Sequence, residues 1–357
     1  MKRVVLALSA ILAIASLASA QNINKSEAKA LANFLSQPSA SGTTNGQKLG
    51  AMGNNIASLE GIKLDPSGHI IEINWKGKDL AGSLNLSNLP NIQKIDVSNN
   101  KLESLTINND PVLTEINASH NRLTQLTITN SPQVQILKVN RNRLADFDLS
   151  QVPFLKKLNI SGNQFEALDV SNAINLESLN CMSNRLEMLQ VAGAQSLKNL
   201  YAGNNYLTGI ELVGLVKLEN LNISGNKIQK LYLQDLPALS SLLASDNHMA
   251  ELVLNNCPAI NEVWAPYNDL TTLQVGNAQQ LAFVNVEWND LTSLDLSNLN
   301  FLQRVNASNN QLLSINVSND PMLTTVNVSN NEMLSTFISD MDPMLRNVIG
   351  YSEWEQF

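Results

Sequence analysis

The sequence predicts a β-rich solenoid of short repeated coils, with little helix beyond a small N-terminal cap. The main observation is a strict period, because an asparagine recurs at every twenty-first residue without insertion or deletion. The same apolar pattern surrounds each asparagine over twelve units, as expected when every unit stacks only on its neighbours. The twelve asparagines are Asn100, Asn121, Asn142, Asn163, Asn184, Asn205, Asn226, Asn247, Asn268, Asn289, Asn310 and Asn331.

Each repeat, or coil, follows one apolar consensus. The coil that starts at Leu113 places apolar residues at positions 113, 116, 118, 123, 126 and 128 around Asn121. This pattern resembles the leucine-rich repeat, and phrases such as Leu168-Asp169-Val170-Ser171 resemble the 21-residue class of bacterial internalin-J-like proteins. The resemblance covers residues 92–343. It implies a horseshoe or arc with a parallel, concave β-sheet and short β or turn segments on the convex side.

The inward positions explain why the coils stack. The segment Ile116–Ala118 and its equivalents are predicted to form short strands whose alternate side chains point into a narrow core. The asparagine is expected to turn inward as well, where its amide donates to one backbone carbonyl and accepts from one backbone N–H. One inward column consists of small or β-branched residues: Val97, Ala118, Val139, Ile160, Cys181, Ala202, Ile223, Ala244, Ala265, Val286, Ala307 and Val328.

The first twenty residues are typical of a secretory signal peptide. Lys2-Arg3 precedes an apolar run from Val4 to Leu17, and an Ala-x-Ala motif ends at Ala20, before Gln21. We therefore expect a secreted, cell-surface or periplasmic protein that does not insert into a membrane. The alanine-rich leader and the absence of a predicted disulfide favour a bacterial source.

Both ends of the repeat array are predicted to be capped. Residues 21–91 form the N-terminal cap and an irregular first repeat, with a helix from the N-cap Ser26 to about Leu35, a loop over 36–46, and a turn and strand over 64–75. Residues 344–357 form a degenerate thirteenth unit, in which Trp354 and Phe357 cover the last coil.

The two cysteines are not predicted to pair. Cys181 and Cys257 lie more than three coils apart, and a coil spacing of about 4.8 Å exceeds disulfide reach over that distance. No cofactor is predicted, since the sequence has no glycine-rich phosphate loop and no His/Cys metal cluster.

The charge of the chain, formally −8, is unevenly distributed. In the column after each ladder asparagine, residues pass from mainly basic (Lys101, Arg122, Arg143) to acidic (Asp269, Asp290). Drift on a solvated edge and a polarised surface that orients a charged partner both explain this gradient. Nucleic acid is disfavoured as a partner, because basic residues form no continuous stripe interleaved with aromatics.

Outward strand positions in units 6 to 10 interrupt an otherwise Asn- and Ser-rich surface. Exposed aromatic residues at the centre of a concave face, with charged residues around them, are typical of a binding hot spot. The alternative is that the tryptophans only stack on neighbours and shield the strands. The predicted ligand-binding residues are Tyr201, Tyr206, Leu243, Asp246, Trp264, Tyr267, Asp269, Phe283, Glu287, Trp288 and Asp290.

The pattern favours a protein partner, which would use the patch as an apolar anchor. A glycan that stacks on the aromatic rings is the alternative, and a Ca²⁺ site among the acidic residues has only weak support from ligand spacing. Enzyme activity is not expected. Carboxylate pairs such as Glu287 with Asp290 leave glycoside hydrolysis as a distant alternative, but no catalytic histidine or cysteine pair accompanies them.

Overall fold

The computed structural model describes residues 23–51 and 59–331, together with the backbone of a strand at 347–349. These residues fall into two compact units, one up to Phe154 and one from Leu155 onward. The predicted signal peptide and the two aromatic residues predicted to close the C-terminal end lie outside the described residues, so both stay predictions. Within the described ranges, no helix combines the length and the hydrophobicity needed to cross a bilayer.

The first unit begins with a short helical cap. Helix α1 (Lys25–Ser36) buries Leu31 and Phe34, and α2 (Asn45–Lys48) follows. The predicted N-cap, Ser26, is wrong by two residues: the side chain of Asn24 accepts the hydrogen bond from the Ser26 backbone N–H. The predicted loop over 36–46 is interrupted near its end, because a capping box starts a second helix there.

A buried carboxylate fastens α1 to the first strands. Glu27 is 1% exposed, and its two oxygens lie 2.6 Å from Nδ1 of His69 and 2.8 Å from the backbone N–H of Ile70. The hydrogen bond to Glu27 raises the pKa of His69. The acidic side chain thus gains partners that compensate for its removal from water, and it lies in the first turn of the helix that Asn24 caps.

The main sheet of the first unit starts as a hairpin and continues as parallel strands. Strands β1 (Ile62–Leu64) and β2 (Ile70–Asn74) pair antiparallel, and β2 is the strand predicted over 64–75. Strand β2 then pairs parallel with β4 (Lys94–Asp96). In the same way, β4 pairs with β6 (Glu115–Asn117), and β6 pairs with β8 (Ile136–Lys138).

The main sheet of the second unit is parallel throughout, and its first nine strands pair at 21-residue intervals. These nine strands are β9 (Lys157–Asn159), β11 (Ser178–Asn180), β13 (Asn199–Tyr201), β14 (Asn220–Asn222), β16 (Ser241–Leu243), β18 (Glu262–Trp264), β20 (Phe283–Asn285), β22 (Arg304–Asn306) and β24 (Thr325–Asn327). A further strand, β25 (Asn347–Ile349), pairs with β24.

The opposite side of most coils carries shorter sheets, as predicted. In the first unit a 3₁₀ turn at Leu149–Gln151 follows three such strands: β3 (Ala81–Asn85), β5 (Lys101–Asn108) and β7 (Gln125–Thr129). In the second unit they are β10 (Ala167–Asp169) with β12 (Met188–Gln190), β15 (Lys230–Gln234) with β17 (Glu251–Asn255) and β19 (Thr272–Gln274), and β21 (Ser293–Asp295) with β23 (Ser314–Asn316).

The predicted strand position is wrong by one residue. The strand of the second coil covers 115–117 rather than 116–118, so the side chains of Glu115 and Asn117 point outward. Ile116 and Ala118 are both fully buried, hence the predicted inward column is correct even though Ala118 follows the strand. Cys181 is buried in that column, and both Cys181 and Cys257 are free thiols.

The asparagine ladder forms the predicted contacts and adds others. Asn226 is representative: its Oδ1 accepts from the Leu207 N–H at 3.0 Å, and its Nδ2 donates to the carbonyls of Ala202 at 3.1 Å, Ile223 at 2.9 Å and Ser224 at 3.4 Å. Leu207 and Ala202 belong to the preceding coil, and the other two partners belong to its own. Asn226 therefore joins neighbouring coils as well as satisfying its own turn.

Two buried carboxyl groups occupy a turn position that holds mostly apolar residues in the other coils. Asp110 and Asp320 each accept a hydrogen bond of 2.7 Å from a backbone N–H one coil back, at Leu89 and Leu299. The second oxygen of each carboxyl has no hydrogen-bond partner among the described residues. Burial raises the pKa of both groups to about 7, so each makes the fold sensitive to pH.

Candidate functional site

The candidate site lies on the open face of the second unit's main sheet. We use this name for the surface formed by the first and third residues of strands β9 to β24, whose middle residues are buried. The parallel register places Leu243 beside Trp264, and Trp264 beside Asn285. A run of small polar side chains is thereby interrupted by an aliphatic and an aromatic residue at successive coils.

Trp264 is oriented by a hydrogen bond on this face. The residue is 38% exposed, and its indole N–H donates to Glu262 at 3.1 Å. The other oxygen of Glu262 accepts from the hydroxyl of Ser241 at 2.6 Å. Both oxygens of this carboxylate are therefore occupied, and the indole is oriented before any ligand arrives.

Phe283 and Arg304 form the next part of the surface. They are neighbours in register, and the Arg304 guanidinium carbon lies 5.6 Å from the centroid of the Phe283 ring. Arg304 forms no ion pair with the residues that the structure describes. A stacked, unpaired guanidinium retains the donors that recognise a carboxylate or a carbonyl.

These side chains line a groove of about 500 Å³ on the open face. Amide side chains form one side of it, and Asn306 donates to Glu287 at 3.0 Å, so that this carboxylate is occupied too. The groove residues are Glu262, Trp264, Phe283, Val284, Asn285, Arg304, Val305, Asn306, Thr325 and Asn327.

A second aromatic group lies on the rim beside the ladder. Tyr267 and Trp288 are 55% and 51% exposed, and their rings stack with centroids 6.1 Å apart and planes 11° from parallel. Both residues have left-handed backbone, with φ of 56° and 55°. Bulky side chains seldom adopt this conformation, so the fold alone would favour a smaller residue at both positions.

The remaining predicted residues are spread along the same unit. Leu243 is half-buried next to Trp264 in register, whereas Tyr201 lies two strands before Leu243 and outside the groove. Tyr206 is on the rim, where the Lys227 ammonium lies 4.6 Å from its ring centroid. The structure therefore brings only part of the predicted set together in the groove.

Three of the four predicted acidic residues lie on the rim, whereas Glu287 contacts the amides of the groove. Asp246 precedes Tyr267 by one coil, and Asp269 and Asp290 follow the ladder asparagines of the next two coils. Asp269 lies 3.6 Å from Nδ1 of His248, and Asp290 accepts from the Gln311 amide at 2.8 Å. In the described part of the chain, no three His, Cys, Asp or Glu side chains converge as a metal site.

The sequence prediction missed Glu262 and Arg304. Both lie in the first strand position, a column from which only Phe283 was selected. The signal was present, because Arg304 is the only lysine or arginine between residues 239 and 331. Once the strand register is known, this single basic residue is found directly beside the aromatic residue Phe283.

Comparison with solved structures identifies the fold. The model is similar to a leucine-rich repeat protein of Leptospira interrogans, with a TM-score of 0.56 and 19% identity over 77% of this chain and 89% of the other. The fold is a leucine-rich repeat solenoid. No protein-family model matches the sequence, and a search of curated proteins finds no match.

Two further leucine-rich repeat structures have the repeat architecture predicted from the sequence. The functional domain of InlJ from Listeria monocytogenes gives a TM-score of 0.50 and 22% identity, over 70% of this chain and 68% of that chain. The effector protein YopM from Yersinia pestis gives a TM-score of 0.51 and 24% identity, over 78% and 77%. The predicted resemblance to the internalin-J-like class is thus confirmed at the level of the class.

Proposed function

We propose that this leucine-rich repeat protein is exported and binds a protein partner, without catalysis, on the open face of its second unit. The groove is the observation that carries the proposal. It combines an oriented tryptophan, Trp264, with an unpaired arginine, Arg304, on a surface otherwise covered mainly by Asn, Ser and Thr. Tryptophan and arginine are the residue types most enriched at the energetic centres of protein interfaces.

The chemistry of the groove supports binding over hydrolysis. A glycosidase needs one carboxyl group free to protonate the leaving oxygen and another free to attack or to activate water. The carboxylates nearest the groove are engaged, since Glu262 accepts from Ser241 and Trp264, and Glu287 accepts from Asn285 and Asn306. These hydrogen bonds position aromatic and amide groups rather than a reacting bond.

A glycan is the second candidate ligand, and the amide row supports it. Asn285, Asn306 and Asn327 occupy consecutive third strand positions, and Trp264 precedes them in the same column. A sugar ring stacked on the indole could reach amide donors and acceptors with its hydroxyls. The cation–aromatic pair of Arg304 and Phe283 favours a protein, because the guanidinium is suited to carboxylates and backbone carbonyls.

Photo-crosslinking from within the groove tests the proposal. A benzoylphenylalanine replaces Thr325, which lines the groove beside Arg304 in register and three strands away from Trp264. The matched control places the same group at Tyr232, which is exposed on strand β15 of the convex side. The proteins offered are the secreted and surface proteins of the source cells and of the cells that they meet.

Crosslinks to protein from position 325, absent from position 232, are the expected result. They should disappear when Trp264→Ala or Arg304→Ala is added, while the thermal stability of the variant stays close to that of the parent. Equal crosslinking from both positions, or crosslinks that survive both alanine substitutions, would show that the groove is not the binding surface. Retention on an immobilised polysaccharide without protein crosslinks would favour the glycan.

A further inference from the structure

Two aromatic side chains of the second unit, the exposed Tyr206 and the half-buried Phe283, already contact a cation of the chain itself. The Lys227 ammonium lies 4.6 Å from the Tyr206 ring, and the Arg304 guanidinium 5.6 Å from the Phe283 ring. In both pairs the aromatic residue and its cation are 21 residues apart, so the repeat itself juxtaposes them. Such contacts attract because the face of an aromatic ring is electron-rich.

The stacked pair of Tyr267 and Trp288 has no such cation among the described residues. The residue one coil after Trp288 in its column is Asn309, and the only nearby arginine in sequence, Arg304, is directed to Phe283. Half of each ring remains exposed. This pair is therefore an aromatic surface whose cation would have to come from another molecule.

The charged residues around the pair have the sign that a cation requires. Asp246 occupies the same rim column one coil before Tyr267, and Asp269 and Asp290 each lie two residues after one of the rings. With a coil spacing of about 4.8 Å, the coils that carry these carboxylates lie within about two spacings of the coils that carry the rings. Asp269 is 3.6 Å from the His248 ring, and Asp290 accepts a hydrogen bond from the Gln311 amide.

The column that holds the two rings does not require a tyrosine or a tryptophan. The same left-handed position is occupied in six other coils by Asn or Gly, which adopt it at little cost: Asn99, Gly162, Asn204, Gly225, Asn309 and Asn330. In the remaining four coils it is occupied by His120, Arg141, Ser183 and Asp246. A bulky side chain in this conformation is strained, and both aromatic residues here are about half exposed.

We infer that the Tyr267–Trp288 pair, with the carboxylates of Asp246, Asp269 and Asp290, binds a lysine or arginine side chain of the protein partner. The inference rests on the proposed function and adds the chemistry of the partner, whose contact segment is basic. A metal ion does not fit the position, because aromatic faces supply no ligand atom for a hard cation. An organic cation fits both the rings and the carboxylates.

Defined peptides test the inference. The probe is a fluorescein-labelled octapeptide of alternating serine and lysine, compared with peptides that carry glutamine or glutamate in place of lysine, and binding is measured by fluorescence anisotropy at 25 and 150 mM salt. The site variant is Tyr267→Asn with Trp288→Asn, which installs the residue found at equivalent positions. The matched control is Tyr232→Asn. Tyr232 is an exposed tyrosine like Tyr267, and its hydroxyl donates a hydrogen bond to the carboxylate of Glu251.

The wild-type protein and the Tyr232 variant should bind the lysine peptide in preference to the other two at both salt concentrations. The site variant should bind it about fivefold to twentyfold more weakly, as the loss of two exposed cation–aromatic contacts requires. Asp290→Asn should weaken binding as well, and more at 25 mM salt than at 150 mM.

Three results would overturn the inference. Equal binding of the lysine and glutamine peptides would show that no cation is recognised. Lysine binding that is lost in Asp290→Asn but retained in the site variant would assign it to general electrostatics rather than to the rings. Binding of a neutral xylohexaose or cellohexaose that depends on both rings, without lysine binding, would make the pair a sugar platform.

The outcome is separable from that of the proposed function. If protein crosslinks from position 325 persist in the Tyr267→Asn, Trp288→Asn variant at unchanged yield, the groove binds a protein and the rim assignment is wrong. If the wild type forms no crosslinks but binds the lysine peptide through both rings, the rim assignment stands and the groove proposal fails.

Discussion

Replacement of one ladder asparagine tests how the coils are joined. In Asn226→Leu, an apolar side chain of similar size replaces an amide that is 7% exposed. The substitution removes the acceptor of the Leu207 N–H, at 3.0 Å, and the donor to the carbonyls of Ala202, Ile223 and Ser224. If every one of these backbone groups lost its only partner, the cost would be several times that of a single buried unpaired group.

The neighbouring hydrogen bonds limit the cost. The Ala202 carbonyl also accepts from Asn205 at 3.0 Å, the Ile223 carbonyl from Asn247 at 3.0 Å, and the Ser224 carbonyl from the Asn204 N–H at 2.7 Å. Only the N–H of Leu207 is left unpaired. One buried unsatisfied donor costs about 1–3 kcal/mol, so we expect a loss of about 2 kcal/mol in the free energy of unfolding.

Equilibrium urea unfolding, followed by far-UV circular dichroism, measures this loss. Amide hydrogen exchange at Leu207 should accelerate, and the amides that keep their partners should change less. The control is Asn220→Leu, which removes an amide that donates to the Asn199 side chain on the open face and should cost less than about 0.5 kcal/mol. Losses above about 5 kcal/mol, or equal losses in both variants, would refute the argument from shared acceptors.

Three further predictions follow from the structure. The Tyr267→Asn, Trp288→Asn variant should melt, in calorimetry, at the same temperature as the wild type or at a higher one. Relief of backbone strain at the two left-handed positions, about 1 kcal/mol or more at each, offsets the loss of a ring-stacking contribution of about 0.5–1.5 kcal/mol. A clear drop in the melting temperature would show that the rings stabilise the fold. Burial raises the pKa of Asp320 in the folded protein from 3.8 to about 7. As the pH rises through this interval, the carboxyl group ionises more readily in the unfolded chain than in the folded protein, so the free energy of unfolding falls. Asp320→Ser should therefore gain stability over the wild type between about pH 4 and pH 7 and keep that gain at higher pH, whereas a pH-independent difference would contradict the assigned ionisation. Glu27→Gln should loosen the cap by weakening the contacts to His69 and Ile70, seen as faster proteolysis near α1, and unchanged proteolysis would show that the charge is dispensable.

The regular part of the fold could be predicted because the repeat leaves few alternatives. A period without slips assigns every residue to a column, and the residue types in that column show which way it faces. The inward column, the ladder contacts and the short convex strands were predicted in this way and are confirmed. The strand limits were wrong by one residue, since apolar periodicity locates the core better than it locates strand ends.

The cap was harder to predict from its local sequence. Asn24 and Ser26 are both favourable N-cap residues, so residue type alone does not choose between them. The first turn of the helix carries Glu27, whose carboxylate reaches His69 and Ile70 more than forty residues later. No local pattern in residues 21–36 contains that contact.

The sequence by itself determined the leucine-rich repeat fold and the coils in which the polar surface gives way to aromatic residues. The sequence also contained a signal that the prediction did not use. The column with left-handed backbone holds Asn or Gly in half of the coils, and Tyr267 and Trp288 interrupt it. Only the tertiary structure decided how these residues group, placing Trp264 with Arg304 in a groove and stacking the other two on the rim. The physical reason is that the repeat fixes backbone position, whereas side-chain pairing depends on rotamers and on partners in adjacent strands.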